Sequence, residues 1–154
     1  MPNVLLLFKN EMKRFEAILG IRTEISRQHY LIVSMPKTYK RMASLGISSD
    51  YSMGYASMTG FRAGTSLPFK FFDVQDNKEY PLMIHPFVVM DVTLKHYLHL
   101  NPDEASAQIN FLIRQIKEVK GVFTSLWHNE SLSEYGIWKG WRKVFEDMVG
   151  LASQ

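Results

Sequence analysis

At 154 residues, 46% hydrophobic and 21% charged, the chain has the makeup of an ordinary folded domain and too much apolar content for disorder. Its net charge of +3 arises from lysines and arginines scattered among acids, without the clustering that tracks a polyanion, so no nucleic-acid partner is expected. Cysteine is absent, which removes disulfides, thiolate metal ligands and cysteine nucleophiles together. No apolar run approaches the roughly 18 residues of a bilayer span. The apolar opening of the chain precedes Lys9, Lys13 and Arg14, the reverse of a secretory signal. The expectation is a single cytoplasmic domain over 1–154 with no membrane partner.

Val4, Leu5, Phe8, Met12, Phe15 and Leu19 recur at helical spacing, and Gly20 stands where a left-handed residue would stop them, predicting a helix over 3–19. Residues 22–33 alternate as a strand does, with Ile25, Arg27, His29, Leu31 and Val33 on one face. Pro36 and Gly46 bracket a short helix over 36–45. Residues 49–51 and 61–65 read as short strand ends among loops containing Gly54, Gly60 and Gly64. Residues 69–74 and 80–89 flank the polar turn Gln75-Asp76-Asn77-Lys78 and predict a hairpin.

Asn101-Pro102-Asp103-Glu104 opens a long helix with a capping residue, a proline at the first position and acids in the first turn. Its buried stripe is expected at Ala105, Ile109, Leu112, Ile116 and Val119, stopped by Gly121. A buried strand over 122–127 follows, then a final amphipathic helix carrying Trp138, Trp141, Phe145 and Met148. Strands alternating with helices predict an α/β fold with parallel strands and an inserted β-hairpin. Functional side chains collect at strand ends in such folds, and Asp50, Arg62 and His128 all fall at predicted ends.

Two strings, Gly60-Phe61-Arg62-Ala63-Gly64-Thr65 and Leu126-Trp127-His128-Asn129, each set one ionisable side chain among apolar residues and turn formers, where a charge is costly unless paired. With Ser26-Arg27-Gln28-His29-Tyr30-Leu31 and Asp50-Tyr51-Ser52-Met53-Gly54-Tyr55, they resemble the bacterial deacetylase-like branch of the polysaccharide deacetylase family. These are metal-dependent hydrolases that remove N-acetyl groups from amino-sugar polymers. The resemblance runs from about Glu11 to Trp141 and implies the rear portion of a (β/α) barrel.

The resemblance makes Arg62 the arginine whose fork holds a catalytic carboxylate. It makes His128 the general acid for the departing amine, Asp91 the carboxylate that orients this histidine, and Asp50 a supporting site residue. Trp127, Asn129 and His29 become candidate substrate contacts. Read without the resemblance, Arg62 could instead bridge to Asp50 or Asp73, His128 could be a core histidine, and the tryptophans could be core.

The family's divalent, zinc-like metal is held by an Asp-Asp pair and by histidines ahead of the arginine motif. This sequence has no Asp-Asp pair, and its only close histidines, His96 and His99, follow the hairpin. The chain is therefore expected to be a truncated rear portion with no metal of its own, inactive alone, acting on carbohydrate and completed by an upstream partner chain or a homodimer. The alternative is a non-catalytic carbohydrate-binding or interaction module on the same scaffold.

Overall fold

The computed structural model describes residues 4–154, with side chains from Leu6 onward. The chain divides into two compact units, one formed by residues up to Ser52 with Phe69–His85, the other by Met53–Pro68 with Pro86–Gln154. Both mix helices and strands, giving an α/β protein with an open mixed sheet and no closed barrel among the described residues. None of the described helices is long and apolar enough to cross a membrane.

In the first unit, α1 (Val4–Leu19) ends at Gly20, which takes the left-handed φ of 69° and returns its N–H to Glu16. Asn3, the expected first residue of this helix, lies outside the described residues. The sheet runs β1 (Ile25–Ser26), β2 (Ser49–Asp50), β4 (Lys78–Ile84), β3 (Phe69–Asp73) in spatial order. The first three are parallel and β3 pairs antiparallel with β4, forming the expected hairpin. The crossover from β1 to β2 is α2 (Lys37–Ser44), close to the predicted 36–45 and burying Tyr39 and Met42 with Ile47, Phe71, Leu82 and Ile84. Lys40 on α2 is paired with Asp73 at 2.9 Å and with Asp76, so its ammonium is held above the usual lysine range, chiefly by these two carboxylates.

The predicted strand over 22–33 is corrected to two residues. The Gln28 N–H bonds the Ser52 hydroxyl (2.8 Å) instead of a neighbouring strand, and His29–Leu31 then close a 3-10 turn with Tyr30 and Leu31 at positive φ. The alternation was that of a surface segment: Ile25 and Ile32 are exposed, and Ser26, not Ile25, is the buried residue of β1. The predicted run 80–89 also splits, because Pro86 has no N–H to continue a ladder; β4 stops at Ile84 and Val89 opens β5.

In the second unit, β5 (Val89–Met90) and β6 (Ser125–Leu126) pair in parallel, Met90 opposite Leu126. A π-helical turn over Thr93–Tyr97 and α3 (Pro102–Glu118) connect them, and α4 (Trp141–Ala152) packs on α3. Asn101 and Glu104 form a reciprocal capping box at the start of α3. The ring of Phe87 lies across Gly54 so closely that a Cβ there would stand 2.2 Å from it, which restricts that position to glycine.

Three expectations change here. Residues 61–65 are a turn closed by Gly64 N–H to Phe61 O (3.0 Å), not a strand end. The strand over 122–127 shrinks to β6, with Val122 exposed. The helical stripe buries Ala105, Ile109, Ile113 and Ile116, while Leu112 lies on its flank and Val119, past the last turn, is exposed. Trp138 is buried as expected, in a 3-10 turn ahead of α4.

The revised stripe is directly testable. Ile113→Ala should destabilise the chain by about 2–5 kcal/mol, the range for emptying a packed aliphatic site, and Leu112→Ala by clearly less. Urea unfolding of the two variants decides it; equal losses would restore the original stripe.

Candidate functional site

Because β5 and β6 are parallel and in register, the residues just past their C-terminal ends are neighbours: Asp91 after Met90, and Trp127 and His128 after Leu126. Asp91 is wholly buried. Its Oδ1 accepts from the Val92 N–H (2.7 Å) and faces His128 Nδ1 at 2.8 Å. Its Oδ2 accepts from the His128 N–H (2.7 Å) and from the Ser131 hydroxyl, which also lies 2.7 Å from the His128 carbonyl. Four donors fill the acceptor capacity of one carboxylate.

The consequence falls on His128. With Nδ1 turned to a buried carboxylate and the side chain 47% exposed, the ring directs Nε2 away from Asp91 toward solvent. In its neutral form the proton sits on Nδ1 and Nε2 carries the lone pair; in its charged form Nε2 is a donor. This is the arrangement of a histidine that exchanges a proton through one fixed nitrogen.

The other predicted residues are placed differently. Arg62 is exposed at the tip of the Phe61–Gly64 turn and has no hydrogen bond or ion pair among the described residues. Its alternative partners are engaged in the first unit, Asp73 by Lys40 and Asp50 by Ser52 and Tyr39. Trp127 is half-buried, its ring edge-on to Phe145 (5.2 Å) and tilted against Trp141 (6.4 Å), so most of it belongs to the core. Asn129 is exposed and starts the 3-10 turn Asn129–Leu132. His29 belongs to the first unit, exposed and stacked on Tyr30 at 4.3 Å.

Asp50 also belongs to the first unit, where it ends β2 and is wholly buried. The Ser52 N–H (3.0 Å) and hydroxyl (2.9 Å) donate to its two oxygens. Burial nonetheless pushes its carboxyl above the usual range, with the Ser52 and Tyr39 hydrogen bonds pulling the other way. Nearby, the ring of Tyr51 stacks on His85 (4.3 Å, 8°), whose imidazole is shifted down by burial.

Sequence reasoning missed Ser131 and Ser52, the hydroxyls that complete the two buried aspartates. The available signal was spacing: a serine two residues after Asp50 closes a local turn onto the carboxylate, and one three residues after His128 lies one 3-10 turn away.

The donor set does not suit a catalytic divalent metal, which takes three protein ligands and an open position. No three or more His, Asp or Glu side chains converge among the described residues. At the Asp91 site every carboxylate lone pair is committed, leaving Nε2 of His128 as one nitrogen ligand.

Asp50 sets a pH test. The folded chain holds this proton more tightly than the unfolded chain, whose carboxyl titrates near ~3.9. Its favourable contribution is therefore present at acid pH and is lost as pH rises through the raised folded value. Asp50→Asn should remove this loss: in urea unfolding, wild type should fall behind the variant as pH is raised from about 4 to about 7. A difference constant across that range would contradict the burial argument.

Compared with known proteins, the chain matches no family model, no curated protein and no solved structure.

Proposed function

We propose that the chain supplies the proton-donating half of a polysaccharide deacetylase-like hydrolase that removes N-acetyl groups from amino-sugar polymers, and that it is inactive alone. The observation that carries this reading is the Asp91–His128 pair, a buried carboxylate holding Nδ1 of a half-exposed imidazole so that Nε2 faces outward. The motif strings around Arg62 and His128 give it its chemical class.

In this reading the amide C–N bond breaks as water adds. The water oxygen ends on the acetyl carbon, giving acetate, and the nitrogen leaves as the sugar amine with a proton from Nε2–H of the imidazolium. Asp91 stabilises that imidazolium and keeps the ring oriented. Arg62, exposed and without a partner among the described residues, is free to meet a carboxylate supplied from outside them.

Activating the water is not a task these residues are built for, and a partner chain would perform it. Among the described residues no strand pairs with the outer edge of β1, which offers a place for added strands. A cytoplasmic setting fits the absence of cysteine.

A second reading, a carbohydrate-binding module without chemistry, is favoured by Trp127, whose partly exposed side chain adjoins His128 in the chain.

Titration with N-acetylated glucosamine oligomers, followed by NMR, tests what both readings share. Millimolar oligomer should move the His128 ring and Trp127 indole signals and leave His96 unmoved; silence at His128 would sink both. Acetate release on mixing the chain with a segment carrying the Asp-Asp and histidine motifs, abolished by His128→Ala, would separate catalysis from binding. No release from a mixture that binds the oligomer would leave the module reading standing.

A further inference from the structure

This inference rests on the reading of His128 as the proton donor and concerns what holds that ring in place. From Asn129 to Ile137 the chain is largely exposed, with Ser131 buried and Leu132 partly buried, so before Trp138 re-enters the core apolar packing does little to fix the loop that follows His128. Polar ties do. Ser131 is bound to Asp91, and the next carbonyl, Leu132 O, accepts both Nε (3.0 Å) and a terminal nitrogen (2.8 Å) of the Arg142 guanidinium.

Two residues further on, Glu134 takes a positive φ of 60°, a conformation a non-glycine residue adopts only where its surroundings impose it. Its carboxylate reaches the start of α4, accepting from the Gly140 N–H (2.9 Å) and the Arg142 N–H (2.8 Å). Gly140 offers α4 no side-chain cap, so Glu134 occupies the positive end of that helix in its place. The same two hydrogen bonds hold its carboxyl below the usual glutamate range.

We propose that Glu134 and Arg142 act as a latch that positions His128: Glu134 fixes the far end of the loop to α4, Arg142 fixes Leu132, and Ser131 is thereby held on Asp91. Both are positioning residues, since neither reaches the imidazole itself. The latch predicts a change at a ring several residues away from the substitution, which a role confined to capping α4 does not.

The test uses the full chain and long-range ¹H–¹⁵N spectra of its histidine rings in alkaline buffer, where the rings are neutral. Wild-type His128 should show one tautomer, protonated at Nδ1. Glu134→Ala should replace it with averaged signals from both tautomers, leaving the rings of His29 and His85, both in the first unit, as they were. Glu134→Gln keeps one acceptor oxygen and should retain part of the wild-type pattern.

An unchanged His128 in Glu134→Ala would overturn the latch, as would His29 and His85 changing together with it. Should Glu134→Ala fail to fold, Arg142→Lys removes the fork on Leu132 and must shift the tautomer in the same direction by a smaller amount. An unmoved tautomer there overturns the proposal. These outcomes are independent of oligosaccharide binding, so an intact latch with no sugar contact at His128 would strike the deacetylase reading alone.

Discussion

A carboxylate buried without partners costs several kcal/mol, more than a small unit held by two-residue strands can absorb. Asp91 is a wholly buried carboxylate just past β5, and it is fully partnered. Its four donors come from three places: the start of the π-helical turn at Val92, the end of β6 at His128, and the 3-10 turn at Ser131. Satisfying one side chain therefore fixes how these three pieces meet. The β5–β6 ladder, two residues on each side, is too short to do so by itself.

The first unit repeats the device with a different result. Asp50 also ends a two-residue parallel strand and is also wholly buried, but its donors are one backbone N–H and the hydroxyls of Ser52 and Tyr39. Neutral donors do not fully offset the cost of burying charge, so the Asp50 carboxyl is shifted upward. Asp91 has the His128 imidazole among its partners. The same strand-end geometry thus gives one aspartate that holds an imidazole by its Nδ1 and one whose carboxyl is raised by burial.

The helices were legible because their signals are local. Gly20 stops α1, and Asn101, Pro102 and Glu104 start α3, as their chemistry dictates. The strands were not, because pairs as short as Ile25–Ser26 and Ser125–Leu126 carry no period, and the alternation over 22–33 belonged to a surface segment. Ile113 displaced Leu112 because α4 covers a stripe turned by one residue from the expected one. At the candidate site, His128 was singled out by its apolar and turn-forming neighbours, and Asp91 by family resemblance. Ser131, Glu134 and Arg142 carry no sequence mark of their own; each matters through a contact that only the folded loop creates.

If the Asp91 carboxylate organises this unit, the backbone amides it binds should be among its best protected, although His128 sits at the surface. Native-state hydrogen exchange of the unmodified chain measures this residue by residue. The amides of Val92 and His128 should exchange as slowly as those of the α3 core, such as Ile109 and Ile113. Exchange of both at the rate of exposed loop residues such as Glu130 would contradict the account, because the carboxylate would then be held by a network that opens freely.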